Sequence, residues 1–162
     1  MTLAERYSGT TPFLEVYDLF FTTVTDDMFL EWMEQETYDQ VERILLNGLM
    51  NFEFPRFKLY DYDVDAEQFN FILDREEMTI ITTLMIVEWF SYQLADIEVV
   101  KQKYTSKDFE LTSQANHMAK LNDLKKSFGE EAKKKQRLYK RRYVDGSGYV
   151  QTNFSGLGGG VL

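Results

Sequence analysis

Seven cations fall within residues 133–142: Lys133, Lys134, Lys135, Arg137, Lys140, Arg141 and Arg142. At helical spacing Lys134, Arg137 and Arg141 share one face, with Lys133 and Lys140 beside it and Arg142 following, so a stripe for phosphates or for an acidic neighbour is available. The same run would also serve as a plain solvated helix face. Asp61, Asp63 and Asp65 occupy the first, third and fifth places of a calcium loop, but the sixth is Ala66 instead of glycine and the twelfth is Ile72 instead of an acid. An EF-hand is therefore excluded, and weak cation retention by an exposed acidic stretch is what remains. His117 is the only histidine and there is no cysteine, which removes thiolate metal sites, cysteine catalysis and any mechanism needing two imidazoles. The paired acids Glu76/Glu77 and Glu130/Glu131 are sequence neighbours, so on a helix they point about 100° apart and share no site. No serine sits in a nucleophile elbow, and Gly158, Gly159 and Gly160 precede no helix that would make a phosphate cradle. The sequence thus offers no catalytic set, no cofactor and no metal site, and it predicts a protein that is not an enzyme. A metal-dependent nuclease would need acids that only folding could make converge.

The 162 residues suit one mainly α domain, and 44% hydrophobic with 15% aromatic residues exclude a wholly disordered chain. The N-terminal residues 1–10 are polar and read as loosely held, without the basic and apolar regions of a signal peptide. Thr11 with Pro12 marks a helix start, and Phe13, Val16, Tyr17 and Phe20 give it an apolar face. Thr25, Asp26 and Asp27 read as a cap ahead of Met28, Phe29, Trp32 and Met33. Thr37 reads as the cap of a helix carrying Val41, Ile44, Leu45 and Leu49, which Pro55 ends. Residues 52–73 alternate in part and predict a loop or short β-hairpin excursion, with Asp61, Asp63 and Asp65 towards solvent. Asp74 caps the clearest element, whose apolar residues from Ile80 to Val100 cover nearly every face, as expected of a central buried helix. Its most apolar part, residues 78–90, is too short to span a bilayer, so no membrane partner is expected. Thr112 or Ser113 caps a long last helix from about Gln114 to Tyr143. Its apolar stripe thins after Phe128, so the first half is expected to pack and the basic second half to project. Gly129 lies inside it and marks a candidate bend.

After Val144 the composition changes. Six of the nine glycines lie in the last 19 residues, interleaved with Tyr149, Val150, Phe154, Leu157 and Val161. Such a stretch builds no core of its own and suits strand addition to a partner, although frayed termini share the composition. Charge divides the chain as well. Residues 1–114 hold 8 of 18 basic and 23 of 27 acidic residues, a balance of −15, whereas residues 115–162 carry +6. Opposite charge at two ends of one chain suits head-to-tail packing of copies. The alternative is a small helical nucleic-acid-binding or regulatory protein acting through the basic last helix, against which stand the net −9 and the lack of a helix-turn-helix pattern.

The block Asp108-Phe109-Glu110-Leu111-Thr112-Ser113-Gln114-Ala115-Asn116-His117-Met118-Ala119-Lys120-Leu121, the later Leu138-Tyr139-Lys140-Arg141-Arg142 and the Gly/Tyr/Asn/Phe tail give a layout, over residues 74–157, that resembles the head-to-tail connector (adaptor or neck) proteins of tailed bacteriophages. The resemblance implies a virion structural protein, made in the host cytoplasm and placed at the capsid–tail neck. It implies a homo-oligomeric ring, commonly of twelve copies, beneath the portal protein. A body of residues 1–143 would build the ring, and residues 144–162 would reach up to clasp the portal through Tyr149, Val150, Phe154, Leu157 and Val161. The ring would extend the channel for passing DNA, without sequence specificity, and support the next neck or tail protein. Lys134, Arg137, Lys140, Arg141 and Arg142 would then meet a neighbouring copy or phosphate. The acidic, aromatic stretch 52–71 departs from this layout.

Overall fold

A computed structural model describes residues 3–24, 34–103, 111–144 and 150–152. The chain runs α1 (Leu3–Arg6), β1 (Thr11–Pro12), α2 (Phe13–Thr23), α3 (Glu34–Leu49), β2 (Tyr62–Asp63), β3 (Gln68–Phe69), α4 (Arg75–Lys103), α5 (Leu111–Arg141), β4 (Arg142–Val144) and β5 (Val150–Thr152). It is a mainly α fold with a central helix, a long last helix and a short β-hairpin.

Every residue from 80 to 86 is buried, nearly two full turns of α4, which happens only when a helix is wrapped on all sides. The stretch Arg75–Asp96 is in fact long and apolar enough to cross a bilayer, because the apolar character continues beyond Phe90; 56% of its apolar window is buried inside the fold. Helices α2, α3 and α5 each pack chiefly on α4. The start of α4 is set by a reciprocal capping box: Glu77 N–H donates to Asp74 Oδ1 at 2.8 Å and Asp74 N–H to Glu77 Oε2 at 3.0 Å. Gly48 lets α3 approach closely, since a Cβ there would stand 3.1 Å from Met85 N.

Several expected boundaries move. Residues 3–6 form α1, and Arg6 is buried, because its guanidinium finds a carboxylate in the core. Helix α2 begins at Phe13; Pro12 belongs to β1, and Thr11 Oγ1 donates to Phe71 O and accepts from Leu73 N instead of capping the helix. Thr37 lies within α3, and Thr112 and Ser113 lie within α5. The helix start expected at residues 25–27 and the apolar positions 28–33 lie outside the described residues.

The short β-hairpin expected within residues 52–73 is β2–β3, and it packs on the body. β3 pairs antiparallel with β1 (Thr11↔Phe69) and with β2 (Tyr62↔Phe69), giving the order β1-β3-β2. Phe69, Phe71 and Leu73 alternate inwards and join Phe52, Phe57 and Leu59 in the core, with Phe69 4.9 Å from Phe13 and Phe57 4.8 Å from Phe71 between ring centroids. Asp63 and Asp65 are exposed as expected, and Asp61 is half-buried.

At the other end β4 pairs antiparallel with β5 (Arg142↔Thr152, Val144↔Val150). The composition break at Val144 therefore does not end the chain's own structure, because Tyr143 and Val144 on one strand and Val150 and Thr152 on the other favour strand pairing.

Candidate functional site

Helix α5 packs along both halves, whereas its apolar stripe predicts packing of the first half alone. In its first half Leu121 is buried, Phe128 partly so, and Leu124 is exposed. In its basic second half Ala132, Gln136 and Tyr139 are buried on one face. The reason is polar packing, which a hydrophobic pattern does not register. Tyr139 O–H donates to Glu77 Oε1 at 2.5 Å, and Glu77, itself 0% exposed, is held on its other oxygen by Arg6 Nη1 at 2.6 Å. Burial, then the hydrogen bond and charge of Glu77, push the Tyr139 pKa well above the ordinary phenol value. Gln136 Oε1 accepts from Glu53 N–H at 2.7 Å. The Arg56 guanidinium stacks 3.9 Å from the Tyr139 ring centroid and donates through Nη2 to Arg142 O. Lys135 reaches Glu131 Oε1 at 2.7 Å and Thr83 Oγ1 at 2.9 Å.

These anchors fix the rotation of α5 and so decide which cations are free. Lys133, Lys134, Arg137 and Arg141 are exposed and have no carboxylate within 4 Å among the described residues. Arg137 and Arg141 stand one turn apart, and Lys133 and Arg137 border an open groove of about 360 Å³ shared with Glu53 and Glu130. Of the other expected contact residues, Lys140 Nζ lies 4.0 Å from the Phe54 ring centroid, and Arg142, in β4 rather than the helix, pairs with Glu76 Oε1 at 3.2 Å. Helix α5 runs without a break from Leu111 to Arg141, through Gly129.

Tyr149, Phe154, Leu157 and Val161 lie outside the described residues, and Val150 enters through its backbone in β5. His117 is exposed at the rim of an apolar cleft of about 320 Å³ between α4 and α5, lined by Val24, Ile86, Trp89, Phe90, Leu121 and Phe128. Among the described residues no three of His, Asp or Glu are grouped to hold a metal. Asp61 Oδ1 accepts from Asn70 Nδ2 and Asp63 Oδ1 from Ala66 N–H, so these acids serve the β2–β3 turn. The distinctive chemistry of the structure is a row of unpaired cations on a net-negative chain. No protein-family model, no curated protein and no solved structure matches the chain.

Proposed function

We propose that the chain is a virion structural protein, a head-to-tail connector that assembles as a ring beneath a portal, extends the DNA channel and joins capsid to tail. The observation that carries this reading is the free cationic face of α5 on a molecule whose net charge is −9. The acids that could neutralise it lie mostly in residues 1–114, and none of the described ones pairs with Lys133, Lys134, Arg137 or Arg141 within 4 Å. Complementary surfaces that do not meet within one copy favour heterologous contacts, which close into a ring when the rotation allows. An acidic channel wall would let DNA pass with little counterion exchange. The glycine-rich segment beyond Thr152 has the composition of a peptide that docks by strand addition on a portal.

Electron microscopy of the purified chain, alone and mixed with portal-bearing heads, tests this. Closed rings that attach to heads are expected. Removing residues 153–162 is expected to leave folding unchanged and abolish attachment. A chain that stays monomeric in both settings sinks the reading.

The same four free cations favour a second reading, nonspecific binding to nucleic acid. It predicts DNA affinity that falls steeply with salt and is lost in R137E/R141E. No binding at low salt removes it.

A further inference from the structure

The segment after α3 lies against the C-terminal half of α5 and sorts its side chains between core and solvent. Phe52, Phe57 and Leu59 are buried, whereas Phe54, Lys58 and Tyr60 are exposed and Arg56 is half-buried. Tyr60 is 61% exposed, more than any other aromatic side chain among the described residues. Rings meet cations all along this strip. Lys140 Nζ stands 4.0 Å from the Phe54 ring centroid, the Arg56 guanidinium 3.9 Å from that of Tyr139, and Lys58 Nζ 5.9 Å from that of the exposed Tyr7. The strip is fastened at two points: Glu53 N–H donates to Gln136 Oε1 at 2.7 Å, and Lys58 N–H donates to Tyr7 Oη at 3.0 Å.

On α5, Lys133, Arg137 and Arg141 follow at four-residue intervals, about 6 Å apart along the axis. Lys133 and Arg137 border the groove that Glu53 lines, and Lys140 reaches Phe54, so the cationic row and the aromatic strip form one surface. Glu53 and Glu130 temper the field there. Even so, none of Arg56, Lys58, Lys133, Arg137, Lys140 and Arg141 has a carboxylate within 4 Å among the described residues. Arg43 and Arg75 are exposed as well, but neither lies over a ring among the described residues. Cations alone would take any polyanion. Exposed rings add a seat for a flat group, and every nucleotide carries one in its base. In a duplex those faces are already stacked on one another, so only a single strand offers phosphates to α5 and bases to the rings. An acidic peptide supplies the charge without the flat partner.

We propose that this surface binds single-stranded nucleic acid without sequence preference, with phosphates along Lys133, Arg137, Lys140 and Arg141 and bases on Phe54 and Tyr60. This rests on the second reading above, nonspecific binding to nucleic acid, and names the form of the polymer and the rings that select it.

Fluorescence anisotropy of the full-length chain at low salt tests this, with labelled oligodeoxythymidine and oligouridine of about 16 nucleotides and a DNA duplex of the same length. Both single strands are expected to bind at least about ten-fold more tightly than the duplex, and binding of either one in this way meets the proposal. Tyr60→Ala and Phe54→Ala are each expected to weaken single-strand binding at least about five-fold while leaving duplex binding unchanged. R137E/R141E is expected to weaken both forms. The Tyr60 ring is mostly in solvent, so Tyr60→Ala keeps the unfolding midpoint; should Phe54→Ala lower it, Phe54→Leu removes the ring and keeps the apolar contact. Equal affinity for strand and duplex, or ring variants that change neither, overturns the proposal and leaves nonspecific binding standing. No binding of any nucleic acid overturns both. Polyglutamate bound as tightly as the single strands assigns the surface to an acidic protein and overturns the proposal. Self-association that Tyr60→Ala abolishes in sedimentation velocity, with strand binding unchanged, assigns it to a contact between copies and overturns it too.

Discussion

Replacing Arg6 by methionine isolates the charge that holds three distant parts of the chain together. Glu77 is fully buried and its carboxylate has three partners: Arg6 Nη1 at 2.6 Å, Tyr139 Oη at 2.5 Å and Asp74 N at 3.0 Å. Methionine keeps the aliphatic stem but removes the only cation paired with that carboxylate among the described residues. Breaking a buried pair from one side costs about 3–5 kcal/mol, because the remaining charge stays out of water. Loss of the guanidinium's position 5.3 Å from the Phe57 ring adds roughly 0.5 kcal/mol. At a urea m-value of about 2 kcal/mol/M the midpoint falls by roughly 2 M, a large share of a typical domain's stability. The second arm is Glu77→Gln, which keeps an acceptor for Tyr139 and the Asp74 amide but carries no charge. In that background Arg6→Met is expected to cost under about 1.5 kcal/mol, the scale of an ordinary hydrogen bond. Equilibrium urea unfolding of the four proteins at pH 7 gives the cycle. A single-variant cost below about 1 kcal/mol, or one that Glu77→Gln does not reduce, refutes the argument that the buried charge needs its partner.

The two described helical glycines test packing with the same substitution. Gly48→Ala places a methyl 3.1 Å from backbone nitrogen of Met85 and is expected to destabilise by about 1–3 kcal/mol, whereas Gly129→Ala meets nothing within 4 Å and is expected to stabilise by about 1 kcal/mol; thermal unfolding reads both. Tyr17 and Tyr139 ionise in the fold only well above the ordinary phenol value, so their contribution to stability is complete below about pH 10 and is lost as pH rises further. An ultraviolet tyrosinate titration should show them ionising late, together with unfolding. Glu42 is raised too, so its contribution is most favourable below the ordinary carboxylate range and is lost as pH rises through the raised value. Glu42→Gln should therefore raise the urea midpoint at neutral pH, with the gain disappearing in acid.

The sequence alone determined the parts of this protein that depend on near neighbours. The all-round apolar character after Ile80 makes α4 central wherever its partners come from, and Asp74 with Glu77 three residues on writes the start of that helix into four positions. The uneven charge is likewise a property of the chain. Tertiary structure decided what distant residues become to one another. Arg6, Glu77 and Tyr139 are separated by 71 and 62 positions and read singly as a terminal cation, a helix-start acid and one apolar residue in a basic run. Only their meeting makes burial of the charge tolerable, and that meeting turns the basic half of α5 inwards on one side and leaves Lys133, Lys134, Arg137 and Arg141 on the other. The same holds for Tyr17, whose place on the apolar face of α2 is legible, while the Tyr38 ring 6.4 Å from its own and the charges of Glu42 and Glu67 that help raise its pKa come from α3 and the β2–β3 turn. Periodicity reports which side chains avoid water; which polar groups follow them inside depends on partners that only the folded chain brings within hydrogen-bond reach.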